Sequence, residues 1–241
     1  MKMLDFYREC AEFARRDITK QKMLLPMESI AELCSQHHRK HRNLAEKLLT
    51  GDKPHKIFAI QKAFPRMGTV QTDFNALESA RKFAAEKAAA LAVVTEKHFY
   101  CGEPSMLTGV AHLIDLPIIR WDFIIDEYQL MQSRLWGADA VRIIVPLLDQ
   151  IELAGFYKKA QELELEVIWE VHTPADVERI SEFTQNSIIF ADGDCFDSVL
   201  AENILNKIPQ NSPALLNGDT FDSENMPEKA AGLIFFNPAG A

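Results

Sequence analysis

The 241-residue chain reads as an α/β protein, a (βα)8 barrel preceded by an N-terminal helical extension. Three observations lead there. Eight short apolar runs with β-forming residues recur along the chain. Helical spacing fills the segments between them, and strands alternating with helices make a parallel sheet covered by helices. Finally, the eight repeats occupy roughly 180 residues, which suits a compact barrel of a fold that typically needs about 250.

The elements follow in order. Helices are expected at 3–16 and 26–49, ahead of the first strand. Strands are expected at 56–60, 90–94, 117–120, 140–145, 166–170, 187–190, 214–216 and 233–236. Between the first two, Leu77, Ala80, Ala84 and Ala88 stand at helical spacing within 73–89. Thr173-Pro174-Ala175-Asp176 supplies an N-cap residue, a first-turn proline and an early acid for a later helix. The seventh covering helix is expected to be short, about 223–230, and residues 237–241 leave no room for an eighth. One flank of the barrel is then expected to lack its cover, so that the N-terminal helices or a second copy in a homo-oligomer would hide the apolar surface. The whole chain, 1–241, reads as one domain, with 1–50 as the extension and 56–241 as the barrel.

Composition excludes several classes. A formal charge of -9 argues against nucleic acid as a partner. No apolar run approaches the roughly 18 residues that span a bilayer, so a cytoplasmic protein without membrane contact is expected. Cys10, Cys34, Cys101 and Cys195 lie far apart without CxxC spacing and read as free thiols. Neither a metal site nor a cofactor is expected from them.

Chemistry in such a barrel belongs to the C-terminal strand ends and the loops that follow. Strand alternation groups Ala59 with Gln61, Ile119 with Trp121, and Ile168 with Glu170, all facing the mouth. Four segments carry a family resemblance: Ala90 to Glu96, Leu116 to Asp126 (Leu-Pro-Ile-Ile-Arg-Trp-Asp-Phe-Ile-Ile-Asp), Gly137 to Asp149, and Val167 to His172 (Val-Ile-Trp-Glu-Val-His). Together they resemble indole-3-glycerol-phosphate synthase of tryptophan biosynthesis, traceable from about Leu4 to Leu233. The resemblance implies a carbon-carbon lyase: decarboxylating ring closure of 1-(2-carboxyphenylamino)-1-deoxyribulose 5-phosphate to indole-3-glycerol phosphate. Such a reaction needs an acid, a base, and groups that hold carboxylate and phosphate.

The resemblance also marks departures. Where the family has Glu-Ile-Lys-Arg-Ala-Ser-Pro at the first strand, this chain has Ala59-Ile60-Gln61-Lys62-Ala63-Phe64-Pro65. The family's general-acid lysine is Trp121, whose indole N-H does not titrate at working pH. Trp121 then serves either as an apolar plug or as a stacking platform for a planar ligand. Glu170 matches the catalytic base; without cationic neighbours its pKa is expected to rise. His172 is expected to belong to the following turn.

At the sixth strand the family's asparagine and arginine become Asp192 and Asp194, giving an acidic mouth with Asp219. Such a mouth is either a solvated rim or an oxygen cluster for magnesium or manganese. Gly218 is expected to offer a backbone nest for an anion, Lys62 to point away from the mouth unless the backbone turns, and Tyr100 to join the substrate-binding positions. Loss of a general acid alone commonly costs about 100- to 10,000-fold, so weak or absent synthase activity is expected. The alternatives are a non-catalytic paralogue acting through protein contacts, or a binder or enzyme for another small planar or anionic ligand. A closed hydrophobic mouth would favour the former, and an open acidic cleft floored by Trp121 the latter.

Overall fold

The computed structural model describes residues 2–37, 40–65, 68–183, 185, 187–193, 197–222 and 224–236. Eight parallel strands close a barrel: β1 (His55–Ile60), β4 (Ala90–Val94), β5 (Ile118–Trp121), β6 (Ala140–Ile144), β7 (Glu166–Val171), β8 (Ser187–Ala191), β9 (Ala214–Asn217) and β10 (Gly232–Phe235), with β10 returning to β1. All eight expected strands are present, with ends shifted by a residue or so. After β1 the chain makes a short antiparallel hairpin, β2 (Ala63–Phe64) and β3 (Thr69–Val70), that the sequence reading did not foresee.

Strand alternation divides the core. Ala59, Ala92, Ile119, Trp121, Ala140, Ile168, Phe190, Leu215 and Ile234 fill the barrel interior. Residues of opposite parity, among them Phe58, Val93, Val141, Trp169 and Leu233, pack outward under the helices. These are α4 (Ala76–Ala85), α5 (Pro104–Leu113), α6 (Glu127–Trp136), α7 (Gln150–Glu162), α8 (Pro174–Arg179) and α9 (Ser198–Leu205). The cap read at Thr173 is present as a capping box with Asp176. Gly137 ends α6 with φ 93°, a left-handed conformation that a side chain would strain.

The N-terminal helices close the two ends of the barrel. Helix α1 runs Met3–Leu24, beyond the expected 3–16, and lays Met3, Phe6, Tyr7 and Cys10 against Phe123 and Ile144 at the C-terminal mouth. The single helix expected over 26–49 is instead two, α2 (Met27–Gln36) and α3 (Leu44–Leu49). Tertiary contacts cause the break. Arg42 leaves helical geometry to reach Asp139 at 3.1 Å and Asp115 at 2.9 Å, and Asn43 caps α3 by accepting from the Glu46 N–H. Leu44 and Leu48 then plug the N-terminal end of the barrel.

Glu166, the first residue of β7, holds that plug by accepting from the backbone N–H groups of Leu44 at 2.6 Å and Ala45 at 2.8 Å. Burial raises its carboxyl from 4.5 to about 7, against the pull of those donors. A carboxyl raised in the folded state contributes stability that is present below its unfolded value and is lost as pH rises through the folded one. Urea unfolding between about pH 4.5 and 7.5 should therefore show a loss on the order of 3 kcal/mol at most, at ~1.4 kcal/mol per unit. Glu166→Gln should flatten that slope; an unchanged slope would place the titration elsewhere.

The expected short helix over 223–230 does not form among its described residues. Asp222 takes the N–H groups of Glu224 and Asn225 onto its carboxylate, and Pro227 has no N–H to give, so the segment turns. It nevertheless covers the flank. Phe221 and Ala230 are buried against the core and Met226 packs on it, leaving Leu216 0%, Leu233 1% and Phe235 8% exposed. The expectation that this flank lacks its cover is thus corrected: the loop itself supplies it.

Candidate active site at the barrel mouth

Glu170 faces the barrel interior from the end of β7, in register with Ile144 of β6. Two residues earlier on β6, Arg142 shares the parity of Ala140 and points inward too. Its Nε donates to Glu170 Oε2 at 2.5 Å, and His172 Nε2 lies 2.9 Å from Glu170 Oε1. Three rings cage the guanidinium: Trp121 at 4.7 Å, Tyr7 at 5.0 Å and Phe123 at 5.4 Å. Glu170 is 0% and Arg142 2% exposed.

This geometry reverses one expectation. Burial by itself would raise the Glu170 carboxyl, but the Arg142 charge and the His172 hydrogen bond outweigh it and hold the group down at about 2. The cationic neighbour that the sequence reading took as lost is supplied from the adjacent strand. His172 is likewise more than a turn residue. Its backbone N–H does donate to Asp176, while its ring is drawn to Glu170, which raises its pKa although burial opposes the charge.

Trp121 is 5% exposed, with Phe190 edge-on at 5.3 Å and Phe236 at 5.2 Å. The indole is chiefly a packed wall. Beside it opens a pocket of about 230 Å³, whose apolar lining includes Tyr7, Phe64, Tyr100, Phe190 and Phe236. Its polar lining is Gln61, Asp192, Asn217 and Asp219 together with the two tyrosine hydroxyls. Gln61 Nε2 donates to the Phe236 carbonyl at 3.0 Å. Asp192 accepts from the Gly193 N–H at 2.9 Å and from Asn217 Nδ2 at 3.1 Å. Burial and the nearby Glu170 charge push its carboxyl up to about 6, further than those donors lower it.

Of the positions singled out from sequence, Glu170, Gln61, Tyr100, Trp121 and Asp192 gather at the mouth. Lys62 and Gly218 do not line the pocket. Lys62 lies at the hairpin, where its carbonyl accepts from the Gln71 N–H. The Gly218 N–H is committed to Ile234 O at 2.7 Å, so no anion nest remains there. Asp194 and Cys195 lie outside the described residues. Among those described, no group of three His, Cys, Asp or Glu side chains is arranged to hold a metal.

Sequence reasoning missed Arg142, Tyr7 and Asn217. A signal existed for the first, since a lone arginine inside a strand buried on both faces needs an inward carboxylate, and Glu170 is one strand away. The other family-like residues build the frame. Glu96 accepts from the N–H groups of His98, Phe99 and Tyr100, which turns Tyr100 toward the pocket. Thr95 donates to Asp122 at 2.6 Å, and Asp122 pairs with the buried Arg120 at 2.8 Å.

Comparison with known proteins agrees with this architecture. A tryptophan synthase alpha chain from Legionella pneumophila subsp. pneumophila superposes with TM-score 0.59 at 12% identity, over 81% of this chain and 85% of that one. A Xanthomonas albilineans dihydropteroate synthase gives TM-score 0.52 at 15% identity, over 78% of this chain and 89% of that one. At such identities only the fold is shared. In sequence, the chain is 40% identical over 131 residues to an indole-3-glycerol phosphate synthase of Neisseria meningitidis, 54% of this chain and 50% of that protein. It is 32% identical over 171 residues to one of Aliarcobacter butzleri, 70% of this chain and 65% of that protein. The first of these matches thus spans about half the length of the relative. A family model described as indole-3-glycerol phosphate synthase matches residues 8–189. With the match covering most of the barrel, the chain belongs to the indole-3-glycerol phosphate synthase family.

Proposed function

We propose that this family member carries out the decarboxylating ring closure weakly or not at all, and that its mouth is a pocket for a different small planar ligand. The observation that carries this reading is the commitment of the inward-facing cation. Arg142 is ion-paired to Glu170 and sealed beneath Tyr7, Trp121 and Phe123, so Glu170 is not free for the base's part in the reaction and Arg142 is not free to hold a substrate anion. A base held down at about 2 has little drive to take a proton at neutral pH. No lysine, arginine or histidine lines the pocket among the described residues, so none of these offers a counter-charge to a substrate carboxylate or phosphate. The stretch matched by the family model ends at residue 189, so the wall made by Phe190, Asp192, Asn217, Asp219 and Phe236 lies beyond it. A pocket with that wall also favours a ligand-holding mouth over one closed entirely by apolar side chains.

Turnover of the family substrate by the purified chain beside Glu170→Gln tests the reading. The expected result is background activity, equal in both. Robust turnover that collapses in Glu170→Gln would overturn it.

A further inference from the structure

The end of the barrel away from the mouth carries a second pocket, of about 410 Å³. It lies between the last turn of α3, the chain entering β1 and the turn from α4 into β4, with Leu116 ahead of β5 in its wall. Its charged lining is Lys47, Lys56 and Lys87 against one carboxylate, Asp52, with the His55 ring beside them. In a chain of formal charge -9 this is a local reversal of sign.

These cations are not spent on the fold. Among the described residues none of the three lysines forms an ion pair, whereas Lys82, one turn earlier on α4, reaches Glu86 at 3.9 Å. The carbonyls at the two helix ends are taken by the backbone: Lys47 O by the Thr50 N–H, and Lys82, Phe83 and Ala84 O by the N–H groups of Glu86, Ala88 and Lys87. Lys56 lies over the Phe235 ring, its nitrogen 5.8 Å from the centroid, which leaves Lys47 and Lys87 as the ammonium groups without a partner. Burial lowers the pKa of Lys47, and no carboxylate stands close enough to restore it. His55 Nε2 is buried with no hydrogen-bond partner among the described residues. Burial, together with Lys47 and Lys53, lowers its pKa more than the Thr50 backbone and Asp52 raise it. A multivalent anion supplies what each of these groups lacks, an acceptor that carries charge. Asp52 opposes it, and two ammonium groups to one carboxylate leave the balance attractive.

We propose that this pocket binds a phosphate group, held by the Lys47 and Lys87 ammonium groups with His55 Nε2 as a third donor. Free phosphate and a small phosphate monoester share this chemistry, and the volume admits either. The site is separate from the mouth and does not depend on how the mouth is read.

Calorimetric titration of the full chain at pH 7.5 and constant ionic strength, with inorganic phosphate, glycerol 3-phosphate and acetate, tests this. At least one of the two phosphates should bind saturably, and acetate, with a single charge, more weakly. Equal affinity for the two assigns the site to free phosphate, and tighter binding of glycerol 3-phosphate assigns it to a monoester; both support the proposal. Lys47→Gln and Lys87→Gln should each weaken phosphate binding by about tenfold, the usual weight of a charge-assisted hydrogen bond. Asp52→Asn should tighten it. Lys87 and Asp52 are exposed, so their variants carry the test should Lys47→Gln not fold. In nitrogen-15 spectra the His55 ring signal, identified by its absence in His55→Asn, should shift as phosphate is added. No saturable binding of either phosphate, affinity unchanged in Lys87→Gln, acetate binding as tightly as phosphate, or a stationary His55 signal would overturn the proposal.

Discussion

Replacing Arg142 by methionine is expected to destabilise the protein by about 3–5 kcal/mol at neutral pH, the usual cost of stranding one member of a buried ion pair. Methionine fills similar space but leaves the Glu170 carboxylate, 0% exposed, with His172 as its remaining polar partner. For a chain of this length the melting temperature should fall by about 10 °C or more. The double variant Arg142→Met/Glu170→Leu should regain most of the loss, because removing both charges removes the desolvation problem. Single and double variants of equal stability would show that the pair is not the source.

The same pair sets an acid window. Glu170 is depressed from 4.5 to about 2, so its contribution is present above pH 4.5 and is lost as pH falls through the folded value. In Arg142→Met burial becomes the leading influence, and the carboxyl should rise above its ordinary value. The variant should then gain stability on acidification where the wild type loses it. Carbon-13 titration of the Glu170 carboxyl in both proteins reads the sign directly.

Trp169→Ala is expected to cost a similar amount, about 3–5 kcal/mol, for a different reason. Trp169 adjoins Glu170 in the chain, yet alternation turns it outward into the layer between barrel and helices, where it is 0% exposed. Its ring lies among Tyr157 and Phe183, and its N–H donates to Phe183 O at 3.2 Å and Ser187 Oγ at 3.1 Å. Alanine leaves a cavity and takes away that donor. Trp169→Phe should recover more than half of the loss in urea unfolding, since it refills most of the volume; recovery of none would make the indole N–H the larger contributor.

The barrel strands were legible because each is a short β-rich apolar run between helical segments, and such a run tolerates few other structures. Helix boundaries were less so. The break between α2 and α3 depends on Asp139 and Glu166, far along the chain, and no local propensity encodes them. At the mouth, parity alone placed Glu170, Trp121 and Gln61 together, because alternation is a property of the strand. What parity could not convey was the exchange between strands: the cation missing at Trp121 stands at Arg142, and only the register of β6 against β7 brings it to Glu170. Gly218 was misread because a glycine after a strand resembles a phosphate nest, whereas here a Cβ would run into the Phe235 ring at 2.6 Å and the N–H belongs to the sheet.

The seam between β1 and β10 bears on how the pocket comes into being. Residues His55 to Phe58 pair with Gly232 to Phe235, and just beyond them Gln61 bonds to Phe236, 175 positions away in sequence. A contact of that span is assembled late and slowly, after the entropy of joining distant segments has been overcome. The Gln61 amide is oriented only once the ring of strands has closed. Pocket formation therefore trails secondary structure in time, and a refolding chain should regain its helical signal before it regains a binding site.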